Sequence, residues 1–191
     1  MLMKLILTRH GETEENIAGI LQGHMPGKLT INGEEQTKKL AQRLTAYEVD
    51  IIYSSDLDRA TKTTKEIIKA NPNPVVYFTK ELRERYLGVY QGRHSDEVDW
   101  NNQPSDIETL QQMQNRIKNF LQKIYNKHKN KTILFVTHGA IGRSLITVIL
   151  GKPADIIFEM EKIKNTAIYL FDIKDNLSGK VIINNCDKHL L

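Results

Sequence analysis

The sequence predicts an α/β fold: a three-layer sandwich with a mostly parallel sheet, helices on both faces and an antiparallel element at the C-terminal end. Three observations predict it. Short apolar runs alternate with stretches of helical periodicity along most of the 191 residues, as expected when crossover helices bury both faces of a parallel sheet. Two of those runs end in a His-Gly pair, His10-Gly11 and His138-Gly139. The tail changes to two β-type runs around a polar turn.

Leu5-Ile6-Leu7, an apolar run ending in a polar turn with glycine, reads as the first buried strand. Residues 33–47 place Leu40, Leu44 and Tyr47 on one helical face, with Lys, Glu and Gln elsewhere. Residues 50–54 form the second strand and 56–70 the next helix, with Asp56 as N-cap and Asn71-Pro72 as stop. Val75-Val76-Tyr77-Phe78 is a third strand, followed by a loop-rich stretch over 79–105. The spacing then predicts a long amphipathic helix over 106–128, with a stripe that runs from Ile107 and Leu110 through Met113, Ile117 and Phe120 to Ile124. A continuous apolar strand at 132–136, a helix at 139–150 and a hairpin of 167–173 with 180–183 complete the chain. Without internal repeats, low-complexity tracts or linker-like shifts, residues 1–191 read as one domain, large enough to bury a full core.

Composition narrows the function classes. Charged residues at 26% and hydrophobic residues at 40% exclude global disorder. The net charge of +4 arises from lysines scattered beside glutamates, with no run of five like charges. It suits steering of a small anionic substrate. It does not suit nucleic acid, because no basic stripe interleaves Trp100 or the tyrosines. The single Cys186 builds neither a disulfide nor a cysteine-based zinc site and fits a reducing cytoplasm. The apolar run at residues 1–7 is too short for a signal or a membrane span. The expectation is a soluble cytoplasmic protein acting on a small anionic substrate, without membrane or nucleic-acid partners. Its oligomeric state stays open.

Ligands of open α/β sheets bind beyond the carboxyl ends of the strands. The chemistry-bearing residues stand there: Arg9-His10-Gly11, Ser54-Ser55 with Arg59 beyond, and Thr137-His138-Gly139. A phosphoryl group in transfer spreads negative charge over its oxygens, and catalysis consists largely of positioning it and offsetting that charge. Arginine does so with a planar fork. A neutral imidazole can accept the phosphoryl group and divide one hard step into two. A carboxylic acid then protonates the leaving alkoxide, a task for which Glu84 is the candidate.

Five ordered motifs carry a family resemblance. They are Leu7-Thr8-Arg9-His10-Gly11-Glu12-Thr13 with Asn16; Leu21-Gln22-Gly23 with Leu29-Thr30 and Gly33; Ser54-Ser55-Asp56-Leu57-Asp58-Arg59-Ala60 with Thr63 and Thr64; Leu82-Arg83-Glu84-Arg85 with Gly88 and Gln91-Gly92; and Val136-Thr137-His138-Gly139 with Arg143. Asn165-Thr166-Ala167 adds a late strand entry. Together they resemble the histidine phosphatase superfamily, branch 1, also called phosphoglycerate mutase-like, over nearly the whole chain. The resemblance implies a metal-independent phosphatase that acts on a small phosphorylated metabolite and needs no cofactor. His10 is then the nucleophile, and Arg9, Arg59 and His138 form the phosphate pocket. Asn16 and the backbone of Gly139 add donors, Gln22 and Gly23 line the substrate side, and Glu84 is the general acid and base. One departure stands out: where the family has a Gly-Glu-Ser-type turn before its long helix, this chain has Asp106-Ile107-Glu108-Thr109.

Two other functions remain as alternatives. Mutases of the family resemble one another in a longer insertion with paired arginines after the glutamate motif. Here eleven residues separate Gly92 from Pro104, with Arg93 their only arginine. A phosphatase is therefore the first reading and a 2,3-bisphosphoglycerate-dependent phosphoglycerate mutase the second. A non-catalytic phosphate-binding module is expected to lose His10, Glu84 or His138, and all three are present. Residues 20–30 and 93–106 hold the choice among phosphosugars, phosphoglycerates, cobalamin-pathway phosphates such as α-ribazole phosphate, and nucleotides. Three motifs are decoys. Asp56-Leu57-Asp58 lacks the Thr or Val that an aspartyl-phosphate site wants four residues on, Gly23–Lys28 is one residue short of a P-loop, and the chain ends before Cys186 finds an arginine partner. His24, His94, His128 and His189 have no metal-ligand spacing and read as solvated surface.

Overall fold

A computed structural model describes residues 2–191. Six strands form one sheet: β1 (Met3–Arg9), β2 (Ile51–Ser55), β3 (Val75–Thr79), β4 (Thr132–Thr137), β5 (Ile168–Ile173) and β6 (Gly179–Cys186). The helices are α1 (Glu14–Ile17), α2 (Ile31–Leu44), α3 (Asp58–Ala70), α4 (Leu110–Lys127) and α5 (Gly139–Ile149). Alternation along the strands sorts their side chains to two faces. Leu5 and Leu7 join Ile133, Phe135 and Phe171 against Met113, Ile117 and Leu121 of α4 and Leu145 of α5. Ile6, Ile52, Leu134 and Val136 meet Leu40 and Leu44 of α2 and Ala60 and Ile67 of α3 on the other face. The expected three-layer sandwich is the observed one.

The boundaries differ from expectation where a side chain finds a better partner. The helix expected from residue 33 begins at Ile31, because the Thr30 hydroxyl accepts from Gly33 N, and it ends at Leu44. Tyr47 still packs on the core, from the turn that follows. Asp56 does not cap α3: both its oxygens bind Arg83, at 2.6 Å each, and Leu57 stands at the N-cap without a side-chain bond. A bidentate arginine is a stronger partner than one backbone N–H. The helix expected from residue 106 starts at Leu110, where Thr109 and Gln112 form a capping box. Ile107 leaves the stripe and packs with Leu87 and Tyr90 in a small separate cluster.

The strand order is β3-β2-β4-β1-β5-β6, with β1 to β4 mutually parallel and β5 and β6 antiparallel to their neighbours. This order brings the two His-Gly pairs together. Although 128 residues apart in sequence (138 − 10), the histidines follow adjacent parallel strands whose register pairs Arg9 with Thr137. His10 N donates to Thr137 O at 3.0 Å, extending that ladder by one step.

The turn after β1 is pinned against the first turn of α2 by two glycines. Thr30 N donates to Glu12 O at 3.0 Å. A methyl group on Gly33 would overlap that same Glu12 carbonyl, and one on Gly11 would come within 2.6 Å of Gly33 O. Gly33→Ala forces backbone apart from backbone, an overpacking cost of about 1–3 kcal/mol or more. Its gain in helix propensity is at most about 1 kcal/mol. We expect a net loss of about 1–2 kcal/mol in urea unfolding, together with reduced turnover because the His10 turn moves with Glu12. An unchanged unfolding midpoint would show that the turn is not held by this contact.

Candidate active site

The site is built from the strand ends upward. His10 is buried just past β1. Its Nδ1 donates to Gly11 O at 2.7 Å, and Gly11 N donates to Thr63 Oγ1 at 3.1 Å, tying the turn to α3. His138 begins α5 just past β4, completely buried, with its ring centroid 5.1 Å from that of His10. Between and above the rings lies Arg59, from the first turn of α3 and only 1% exposed. Its Nε is shared between His10 Nε2 at 3.2 Å and His138 Nδ1 at 3.1 Å. One Nη donates to Met25 O at 2.9 Å and the other to Gly23 O at 2.8 Å.

This geometry sets the tautomers. A guanidinium N–H only donates, so His10 Nε2 and His138 Nδ1 both present lone pairs. The imidazole hydrogens sit on His10 Nδ1, toward Gly11 O, and on His138 Nε2, toward Ser55 Oγ at 2.8 Å. Both imidazoles are held neutral. Burial pushes each pKa well below the usual histidine value, and the charges of Arg59 and Arg9 push the same way. Burial also lowers Arg59 to about 10, with Glu84 opposing, and it remains a cation at neutral pH.

Arg9 completes the positive floor. Its Nη1 donates to Ile163 O at 2.8 Å, and its Nε is buried without a partner. Burial lowers its pKa while Glu84 raises it. Glu84 faces the arginines from the segment after β3. Its carboxylate accepts from Ala140 N at 3.1 and 3.0 Å, from Ile141 N at 3.0 Å and from Arg85 N at 2.9 Å. It thus docks on the N-terminus of α5, where it takes up backbone N–H groups that have no partner within the helix.

A cavity of about 660 Å³ opens over this floor and is lined by Arg9, His10, Asn16, Gln22, Gly23, Arg59, Glu84 and Gly139, among others. Eight of the nine residues expected from the sequence therefore reach it. His138 does not: it lies beneath the floor and meets the site through Arg59. The roles of three others become specific. The Asn16 side-chain oxygen accepts from Thr13 N and Asn165 Nδ2, which fixes the orientation of its amide. Gln22 donates to Thr13 Oγ1 at 2.9 Å, and its own oxygen is buried without a partner. Gly23 contributes its carbonyl to Arg59, and its φ of +50° is a conformation that suits glycine.

Several participants were not expected from sequence. His24, read as solvated surface, is half-buried at the cavity's edge, with Nε2 2.9 Å from Glu84 O. Asn165 Nδ2 donates to His10 O at 2.9 Å. Glu108 stays outside the cavity. It grips Arg116 in a fork at 2.8 Å, and Arg116 in turn holds the carbonyls of Glu81 and Arg83, so the pair braces the segment that carries Glu84. Glu108 and Arg116 stand eight positions apart in sequence, a spacing that signals no ion pair, and their partners come from a different segment.

Two neutral histidines sharing one buried guanidinium, with a carboxylate opposite, suit the transfer of an anionic group, and the chain belongs to the histidine phosphatase superfamily (branch 1), whose profile matches residues 5–185. Relatives named as phosphatases make it a phosphoric monoester hydrolase by class. It is 34% identical over 164 residues to phosphoserine phosphatase 1 of Hydrogenobacter thermophilus, covering 78% of this chain and 77% of that protein. It is 30% identical over 170 residues to the adenosylcobalamin/alpha-ribazole phosphatase of Escherichia coli K12, covering 82% and 83%. Other relatives are named probable phosphoglycerate mutase GpmB. Among solved structures, the phosphoserine phosphatase of Entamoeba histolytica in complex with 3-phosphoglyceric acid superposes with a TM-score of 0.86 at 30% identity, covering 99% of this chain and 100% of that one.

The depressed histidines couple folding to pH. In the unfolded chain both protonate near pH 6.5, whereas in the fold they stay neutral to well below it. Below pH 6.5 the unfolded state therefore binds more protons. Stability falls as pH drops, until the folded pKa values are reached. The slope approaches about 1.4 kcal/mol per pH unit for each imidazole. Urea midpoints should be nearly flat from pH 8 to 7 and fall between 6.5 and 5.5, and the fall should be shallower in His138→Gln. An equal fall in that variant would assign the acid sensitivity elsewhere.

Proposed function

We propose that the protein hydrolyses a small phosphomonoester through a phosphohistidine on His10, with Glu84 as general acid and then general base, and without a metal ion. The observation that carries this reading is the state of His10, which is neutral and hydrogen-bonded through Nδ1–H to Gly11 O, with its Nε2 lone pair at the positive floor.

In the first step His10 Nε2 attacks phosphorus and the bond to the leaving oxygen breaks. Glu84, which enters this step in its protonated form, gives that proton to the oxygen, and the alcohol departs. Arg9 and Arg59 offset the charge on the three remaining oxygens, and His138 and the carbonyls of Gly23 and Met25 hold Arg59 in place. Asn16 and the Gly139 backbone supply further donors. In the second step Glu84 takes a proton from water, the oxygen of that water attacks phosphorus, the P–N bond breaks and neutral His10 returns. Among the described residues no helix is long and apolar enough to cross a membrane. The lone Cys186 is a free thiol, which suits the cytoplasmic location we propose.

His10→Ala should abolish turnover and acid-labile labelling by substrate phosphate. Glu84→Gln keeps the shape but cannot carry a proton, and it should lose roughly a hundredfold or more with alkyl phosphates. Aryl phosphates need less help to leave, so rapid quench should show label accumulating on His10 in this variant. Wild-type hydrolysis of alkyl phosphates by Glu84→Gln would mean the proton donor is another group. Running 3-phosphoglycerate isomerisation beside phosphate release separates phosphatase from mutase: predominant isomerisation would replace the hydrolytic reading.

Activity should also survive dialysis against EDTA, since two arginines provide the positive charge that a metal supplies in other phosphoryl-transfer sites. Loss on chelation, restored by magnesium, would overturn the metal-independent mechanism.

A further inference from the structure

The cavity is far larger than a phosphoryl group, and its outer walls differ in kind from its floor. Ile20, Leu21, Leu87, Trp100, Ile157 and Phe158 line the part away from the two histidines. Trp100 is 37% and Phe158 61% exposed, unusual positions for large apolar side chains unless a ligand covers them. The wall is built rather than loose. Leu21 N donates to Arg93 O and Gly92 N to Leu21 O, both within 2.9 Å. The Trp100 indole donates to Ser95 O at 3.3 Å and packs edge-on against Tyr90, whose hydroxyl donates to Asp99 O.

The cations of the same walls are partly engaged by the protein. A substrate carboxylate is best held by a guanidinium fork with two free N–H groups. Arg85 has spent its Nε on Glu108 O and one Nη on Gln103 Oε1, both at 2.6 Å. Arg143 has given one Nη to Ile157 O at 2.6 Å, and its Nε is shut away from solvent. Lys162 at the mouth is a single ammonium and meets an anion as a point charge.

From this lining we propose that the alcohol half of the substrate carries an apolar body of ring size or larger, seated on Trp100 and Leu21. The proposal rests on the phosphatase reading above and names the substrate class of that site.

Benzyl and hexyl phosphate can be compared with glycerol 3-phosphate, O-phosphoserine and 3-phosphoglycerate. All are alkyl esters, so the comparison reads the pocket and not the leaving-group chemistry. The apolar esters should show kcat/KM higher by about tenfold or more, the scale set by burying a ring-sized apolar surface. Trp100→Ala and, independently, the fold-safe Phe158→Ala should lower kcat/KM for benzyl phosphate several-fold more than for glycerol 3-phosphate. A loss shared equally by all esters in both variants would mean that the wall is structural, and a preference for 3-phosphoglycerate or phosphoserine would overturn the proposal outright. Calorimetric binding of benzyl phosphate and 3-phosphoglycerate to His10→Ala separates the two layers of the argument. Tighter binding of benzyl phosphate without wild-type turnover of any ester sinks the phosphatase reading and leaves the apolar seat standing. Tighter binding of 3-phosphoglycerate sinks the seat.

Discussion

The site depends on one buried charge. Arg59 is ion-paired to no carboxylate among the described residues, yet it is almost wholly withdrawn from water. Placing a cation there costs several kcal/mol unless its hydrogens are satisfied. Two carbonyls and two imidazole lone pairs take three of its five N–H groups, and each of those partners is thereby fixed. The carbonyls of Gly23 and Met25 are drawn inward, which sets the course of the loop that forms one wall. The histidines are locked in complementary tautomers, one with its lone pair at the floor. What remains uncompensated is the positive charge itself, together with that of Arg9. In the proposed reaction the substrate's phosphate brings a further anion to this floor, beside Glu84.

A second set of contacts holds the proton carrier against this floor. Thr137, at the end of β4, donates its hydroxyl to Leu82 O at 2.7 Å. Arg116 clamps the neighbouring carbonyls from α4, and Glu108 steadies Arg116. The Glu84 carboxylate then meets the N-terminus of α5, the helix that begins with His138. His10, His138 and the Glu84 carboxyl group are therefore referenced to the same pair of adjacent strand ends, β1 and β4. A fraction of an ångström matters in such a site, and adjacent strands in a close-packed sheet are among the stiffest references a protein offers.

Much of this was legible before any fold was known. Apolar runs at 5–7 and 132–136 and the stripe through Met113 and Ile117 announced strands and helix, because burial on one face or two leaves a periodic trace in the chain. His10, Arg59, Glu84 and His138 were legible as a set, because phosphoryl transfer restricts the residue types it can use and their order matched the family's. Less legible were the ends of elements and the supporting residues. Asp56 looked like a cap and became a partner of Arg83; His24 looked solvated and lies against Glu84's backbone; Glu108, in the turn that departs from the family's pattern, became a brace. Each of these outcomes turns on a contact between segments distant in sequence, for which local spacing holds no signal.

The sequence by itself determined the α/β class, the strand ends at which the candidate residues collect and the family, since all of these follow from residue type, local period and motif order. Only the tertiary structure decided that β4 lies between β1 and β2, placing His138 beneath the floor with Arg59 over it. It alone decided which arginine N–H groups are given to protein carbonyls and amides, and that Trp100, Leu21 and Phe158 line the same cavity as His10. The physical reason is that a hydrogen bond can be given only once. Which partner takes it depends on the meeting of segments in space, and neither composition nor spacing records that.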